Sequence, residues 1–219
     1  MSTLTLYSYW RSSAAYRVRI ALNLKQLPYI LVPVNIAPGV SEQLAPEHQA
    51  RNPQGLVPVL ADGERLLRQS LAIIEYLEEA YPGPALLPAG ARDRARARAI
   101  AQLIACEMQP LQNLRVFRRL EAQFGADDAA RTEWVRYWIA DGLASLEALV
   151  ADNHATGAFC EGDVPTLADI CLVPQCYAAR RFNVDFGAYP TIARIDAAAR
   201  ALKAFADAAP EAQPDAPQS

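Results

Sequence analysis

Leu4-Thr5-Leu6-Tyr7 alternates side chains with a period of two, which predicts a strand over 4–8. After the loop Tyr9-Trp10-Arg11-Ser12, residues Ala14, Val18, Ala21 and Leu22 recur at helical spacing and predict a helix over 13–25. Residues 29–34 form a second strand-like run, followed by a loop at Pro38-Gly39, and 41–49 predict a short, irregular helix. A third strand is predicted over 56–60, a hairpin turn at Asp62-Gly63 and a fourth strand over 65–67. Ser70 stands where an N-cap is needed for a helix over 71–80, and Tyr81-Pro82-Gly83-Pro84 stops it. The predicted order is β-α-β-α-β-β-α.

Past residue 84 the pattern changes. Alanine, leucine and arginine dominate, and almost nothing reads as strand. Residues 91–120 predict a long helix, bent or broken near Pro110, and 127–152 predict another. Thr166 and Asp169 have capping-box spacing at the start of a helix running to Arg180. A last helix is predicted over 190–208. The tail, 210–219, holds three prolines and few apolar residues, so it is expected to be loosely held. The division read from this pattern is a mixed α/β domain over 1–84, an all-α domain over 90–209 and the tail. There is no internal repeat.

Composition adds exclusions. The 219 residues are 52% hydrophobic and 21% charged, enough for a sizeable core and too apolar for a disordered chain. With 21 basic and 24 acidic residues the net charge is −3, so any cationic face for nucleic acid would have to be local. No apolar run reaches the ~18 residues of a membrane-spanning helix. The chain begins directly on a strand-like pattern, which gives the expectation of no signal peptide and a cytoplasmic location. Cys106, Cys160, Cys171 and Cys176 have neither CxxC nor metal-ligand spacing, so they are read as buried, reduced thiols, with no metal site.

Four segments carry candidate chemistry. Ser12 and Ser13 lie at a strand-to-helix junction, where unpaired N–H groups and roughly +0.5 charge favour an anion. Arg11 adds a full charge beside them; the plain alternative is that one serine only caps the helix. Pro58 interrupts a strand, either as an ordinary edge-strand proline or as a cis bond that turns the Val57 backbone towards a ligand. Gln69 and Ser70 open a helix and can hold a small carboxylate, or Ser70 is simply its cap. Arg115, Arg118, Arg119, Arg180 and Arg181 are either solvated charges or, for the pair 180–181, carboxylate ligands in a cleft. His48 and His154 lie far apart in sequence and are not read as catalytic.

Taken together these segments resemble the cytosolic glutathione transferases, and within them the zeta class. The zeta signature, Ser-Ser-Cys-x-Trp-Arg-Val-Arg-Ile-Ala-Leu, is matched by Ser12-Ser13-Ala14-Ala15-Tyr16-Arg17-Val18-Arg19-Ile20-Ala21-Leu22. The resemblance continues through Asn52-Pro53, Val57-Pro58, Gln69-Ser70-Leu71-Ala72-Ile73-Ile74-Glu75-Tyr76-Leu77-Glu78-Glu79 and Gln109-Pro110-Leu111-Gln112-Asn113-Leu114. It runs on through Leu167-Ala168-Asp169 and Leu172-Val173-Pro174-Gln175 to Arg181-Phe182-Asn183-Val184-Asp185. The motifs span nearly the whole chain in the family's order. The signature cysteine is Ala14 here, a departure that puts protein-thiol chemistry in doubt and leaves the glutathione route intact.

The resemblance implies a thioredoxin-like domain over 1–84 that binds glutathione, an all-α domain over 90–209 that supplies substrate-site residues, and a homodimer. Ser12 and Ser13 would lie near the glutathione sulfur. Val57, before a cis Pro58, would pair with the cysteinyl backbone, and Gln69 and Ser70 would hold the γ-glutamyl carboxylate. Gln43 is a further contact, and Gln109, Asn113 and Arg115 would approach from the second domain. The implied activity is glutathione-dependent cis–trans isomerisation of a maleyl keto acid, maleylacetoacetate or maleylpyruvate, by reversible thiolate addition. Arg11 and Arg181, with Arg115 and Arg180 as second choices, would hold substrate carboxylates. The runs Trp10-Arg11-Ser12, Phe124-Gly125-Ala126-Asp127 and Arg180-Arg181 are similar to those of the maleylpyruvate enzyme. The alternatives are a transferase that conjugates glutathione to small electrophiles such as α-halo acids, and a non-catalytic binding module on the same fold.

Overall fold

A computed structural model describes residues 3–217. The chain divides into two compact units, one running to Leu86 and resuming at Leu202, the other spanning Leu87–Ala201.

The first unit is built on a four-stranded sheet of order β2-β1-β3-β4, from β1 (Leu4–Ser8), β2 (Tyr29–Pro33), β3 (Val59–Asp62) and β4 (Arg65–Arg68). β1 pairs parallel with β2 and antiparallel with β3, and β3 pairs antiparallel with β4. Alternation along β1 sends Leu4 and Leu6 into the core. There they join Val18, Ala21 and Leu22 of α1 (Ser13–Leu24) and Ile73, Ile74 and Leu77 of α3 (Ser70–Ala80), all buried. Each of the valine, leucine and isoleucine side chains contributes about 1.5–3 kcal/mol on leaving water. The region predicted as an irregular helix is a 3₁₀ turn, Glu42–Leu44, and a short helix, α2 (Pro46–Arg51). The end of α3 is pinned by Lys25, whose buried ammonium donates to the Tyr81 and Pro84 carbonyls at 3.1 and 3.2 Å and meets Glu78 at 3.1 Å.

The second unit holds α4 (Ala91–Gln102), α5 (Leu114–Phe124), α6 (Asp128–Val150), α7 (Leu167–Arg181) and α8 (Pro190–Arg200). The break expected near Pro110 spreads over a π-type turn, Leu103–Met108, a 3₁₀ turn, Gln109–Gln112, and extended Asn113. Gly142 of α6 leaves room for the buried Met108; a Cβ there would collide with its side chain. α7 is the central helix, with Ile170, Cys171, Leu172, Val173 and Cys176 wholly buried. It opens on the predicted capping box of Thr166 and Asp169. Among the described residues, no helix is long and apolar enough to cross a membrane.

The last helix does not run to 208. α8 ends at Arg200, and after extended Leu202 a separate turn, α9 (Lys203–Ala206), belongs to the first unit. Phe205 is fully buried there, and α1 is tied to this segment by Asn23 Nδ2 to the Ala204 carbonyl at 2.9 Å. The described part of the tail is held as well. Gln213 donates to the Asp207 and Ala209 carbonyls, both at 2.9 Å, and Asp215 accepts from the Trp10 amide at 2.9 Å. These anchors are polar bonds to backbone, which a count of apolar residues does not register.

Candidate active site

The sheet register gathers the candidate residues of the first unit. Tyr7 of β1 lies opposite Val59 of β3, and Val59 lies opposite Arg68 of β4. The loop after β1, the segment before β3 and the residues after β4 therefore meet at one end of the sheet. These are 9–12, 56–58 and 69–70, which carry Arg11, Ser12, Val57, Gln69 and Ser70.

Ser12 is the N-cap of α1. Its backbone is extended, and its Oγ accepts from the Ala15 amide at 3.2 Å. That bond uses only a lone pair, so the hydroxyl proton remains for an anion at the helix N-terminus. The two readings of this serine are thus compatible. Ser13 is the first residue of α1 and half-buried. Arg11 is exposed, its guanidinium 5.1 Å above the Trp10 ring.

The Val57–Pro58 bond is cis. The preceding Leu56 carbonyl accepts from Asn52 Nδ2 at 2.9 Å and lies 3.0 Å from His48 Nε2. His48 is therefore structural, as its isolation in the sequence suggested. Gln43 is buried with its side-chain oxygen unpartnered. It sits beside Gly55, where φ is +61° and a Cβ would lie 3.2 Å from the Gln43 carbonyl. Gln69 holds a left-handed φ of +68°, a strained conformation of the kind that recurs at binding sites. Its Nε2 donates to Gln54 Oε1 at 2.7 Å.

Ser70 is not the N-cap of α3. It is the first helical residue, Gln69 takes the cap position, and no side chain caps the helix. The Ser70 hydroxyl instead accepts from Arg17 Nη1 at 3.2 Å. This arrangement leaves its proton to donate where α3 begins. Arg17 and Gln54 escape a reading of single segments, because only the packing of α1 against α3 and the β4 register bring them to Ser70 and Gln69.

Gln109, Asn113, Arg115, Arg180 and Arg181 belong to the second unit. Gln109 begins the 3₁₀ turn, and Asn113 caps α5 by accepting from the Arg115 amide at 3.1 Å. The Arg115 side chain is exposed. Arg180 and Arg181 end α7. Arg180 is engaged by buried Asp196, its Nη1 2.6 Å from Oδ2, and Arg200 shares the same oxygen at 2.9 Å. Arg181 is exposed and lies 4.6 Å from the Phe182 ring centroid.

Cys160, Cys171 and Cys176 are buried as expected, whereas Cys106 is exposed. Burial pushes the Cys160 and Cys176 thiols well above their ordinary range, which keeps them protonated and inert. Among the described residues no group of metal-ligating side chains stands together.

The family model described as "Glutathione S-transferase, N-terminal domain" matches residues 6–85. Maleylacetoacetate isomerase of Rhizobium meliloti is 54% identical over 94% of this chain and 95% of its own length. The structure of a maleylpyruvate isomerase described as a bacterial zeta-class glutathione transferase covers 97% of this chain and 100% of that one, with 49% identity and a TM-score of 0.94. The chain belongs to the zeta-class glutathione transferases. A maleylacetoacetate isomerase from Anaeromyxobacter dehalogenans, solved with glutathione bound in the active site, is 50% identical over 98% of each chain, with a TM-score of 0.87. In this zeta-class chain the sheet end that carries Ser12, Val57, Gln69 and Ser70 presents two helix N-termini and their hydroxyl donors to a single region.

Proposed function

We propose that this protein is a glutathione-dependent cis–trans isomerase that converts a maleyl keto acid, maleylpyruvate or maleylacetoacetate, into its fumaryl isomer. The observation that carries the reading is Ser12, a cap whose hydroxyl proton stays available at the N-terminus of α1 with Arg11 alongside.

The residues present fit glutathione. The buried, unpartnered oxygen of Gln43 offers an acceptor. Gln69 and Ser70 offer donors for a carboxylate at the N-terminus of α3, and Val57 precedes β3 with its backbone groups for a peptide. When bound, glutathione supplies a thiolate that adds reversibly to the activated cis double bond, so that the bond rotates before elimination restores the alkene.

The chain's own task is mainly electrostatic. A free thiol, with a pKa near ~8.5, is only a few per cent ionised at neutral pH. Ser12 and the α1 N-terminus favour the anionic sulfur, with Ser13 beside them. Arg11 and Arg181 hold substrate carboxylates or the negative charge that develops on the carbonyl oxygen. Arg115 is a further choice, and Gln109 and Asn113 belong to the same proposed site. The pairing of Arg180 with Asp196 favours a structural role for Arg180. A homodimer and a cytoplasmic location are proposed from family membership.

Arg11→Ala is expected to lower kcat/KM about 10-fold, because it removes a full charge from the reacting region. Ser13→Ala should stay within about threefold of the parent enzyme, since it removes a neutral donor beside one that remains. A larger loss in Ser13→Ala than in Arg11→Ala would remove Arg11 from its assigned role.

The reading is tested with purified protein on maleylpyruvate and on maleylacetone as a stand-in for maleylacetoacetate, each followed by absorbance with and without glutathione. Conversion is expected only with glutathione, and the ratio of kcat/KM values names the substrate. Conversion of neither substrate would overturn the reading, and a persistent glutathione adduct would make the protein a conjugating transferase instead.

A further inference from the structure

The loop 9–12 carries Arg11 and Ser12, and its backbone is held from two directions by groups that the reaction does not use. Arg19 is fully buried, and its guanidinium donates to the Tyr9 carbonyl at 3.4 Å, the Trp10 carbonyl at 2.9 Å and the Ser8 hydroxyl at 3.1 Å. The same side chain donates through Nε to the Ala208 carbonyl at 3.0 Å, in the C-terminal segment. From that segment Asp215 Oδ2 accepts from the Trp10 amide at 2.9 Å. The Tyr9 carbonyl in turn accepts from the Ser12 amide at 3.0 Å, so this network reaches the residue that caps α1.

We propose that Asp215 is a positioning residue: the C-terminal segment is a strap that fixes the 9–12 loop, with Arg19 as the buried post to which both are tied. The role rests on the reading in which Arg11 and Ser12 act on the reacting groups.

A buried guanidinium is costly to desolvate, and burial lowers Arg19 to about 10, still charged at neutral pH. The usual partner for such a charge is a carboxylate in contact; here three backbone carbonyls of the loop and the strap, with the Ser8 hydroxyl, accept from it instead. Asp215 adds an attractive charge from farther off. Both ends of the strap are needed for geometry. Arg19 holds carbonyl oxygens, whereas Asp215 holds the Trp10 N–H.

The bonds that tie the strap run to Trp10 and to Tyr16, Arg19 and Asn23 of α1, and away from 56–58 and 69–70, where the peptide and carboxylate of glutathione are proposed to bind. Its loss should therefore move kcat rather than the KM for glutathione. A displacement of about 1 Å at a reacting group can cost up to ~100-fold.

The experiment compares the full-length protein with Asp215→Ala and Asp215→Asn. Asparagine keeps an acceptor for the Trp10 amide and drops the charge. In Asp215→Ala, kcat is expected to fall about 10-fold with the KM for glutathione within about twofold, and amide exchange at 9–12 to accelerate. Asp215→Asn should recover most of both. Unchanged exchange at 9–12, or a lower melting temperature with unchanged kcat, or no recovery by asparagine, would overturn the strap. If the parent protein isomerises neither substrate, the functional reading fails alone, and exchange at 9–12 still decides for or against the strap.

Discussion

Ser12→Ala is expected to lower kcat for glutathione-dependent isomerisation about 100-fold, the scale seen when one preorganised donor to a developing anion is removed. The change deletes two things at once. One is the cap to the Ala15 amide, worth about 1 kcal/mol of stability and thus roughly 2–4 °C in Tm. The other is the hydroxyl proton, which the cap does not use. The two are separable. Ser12→Asp keeps the capping acceptor but places a negative charge where the thiolate forms, so it should fold at least as well and react more slowly still. Ser12→Thr keeps both functions and should remain active. A titration of the bound thiol, followed by thiolate absorbance, checks the cause directly: the thiol pKa should rise in Ser12→Ala and Ser12→Asp and stay low in Ser12→Thr. Full activity in Ser12→Ala would transfer the donor role to Ser13 or to the helix N-terminus alone.

Much of this site is legible in the amino-acid sequence, because its chemistry lies at the ends of predictable elements. Period-two alternation in β1 and helical spacing in α1 place Ser12 at their junction, and the hairpin at Asp62-Gly63 places Gln69 just beyond a strand. What local pattern does not contain is the register. Tyr7 opposite Val59, and Val59 opposite Arg68, is what turns three separated segments into one region.

Ser70 shows the limit plainly. A serine before an apolar helix reads as a cap, and local propensity supports that. Its oxygen is instead engaged by Arg17, which arrives from another helix, and the helix begins one residue earlier with Gln69 strained ahead of it. The tail fails for a related reason. Its three prolines suggest looseness, but its hold comes from side-chain amide and carboxylate contacts to backbone atoms, one of them far away in sequence. Arg180 is the same lesson at a charged group. A basic pair at a helix end suits a carboxylate ligand, and the carboxylate that Arg180 finds is Asp196 on the next helix.

The largest loss of stability is expected from Asp169→Ala, at about 4 kcal/mol, or a fall in Tm of roughly 10 °C. Asp169 is fully buried at the start of α7. Its Oδ1 accepts from the Cys160 amide at 2.8 Å, and its Oδ2 accepts from the Thr166 amide at 2.8 Å and the Thr166 hydroxyl at 3.2 Å. Alanine leaves two backbone N–H groups buried without acceptors, each costing about 1–3 kcal/mol, in addition to the lost hydroxyl contact. The damage is concentrated because Cys160 closes the loop that precedes α7, while Thr166 caps the helix itself. Next to Cys160, Glu161 pairs with Arg96 of α4, which also donates to the Cys160 carbonyl at 2.6 Å. Loss of the Asp169 acceptor therefore loosens α4 as well as α7. Asp169→Asn keeps one acceptor oxygen but turns an N–H₂ towards a backbone N–H, so it should recover only part of the loss. Thermal unfolding followed by circular dichroism measures all three proteins. A change below about 1 kcal/mol in Asp169→Ala would mean that the loop and the helix start hold without this carboxylate.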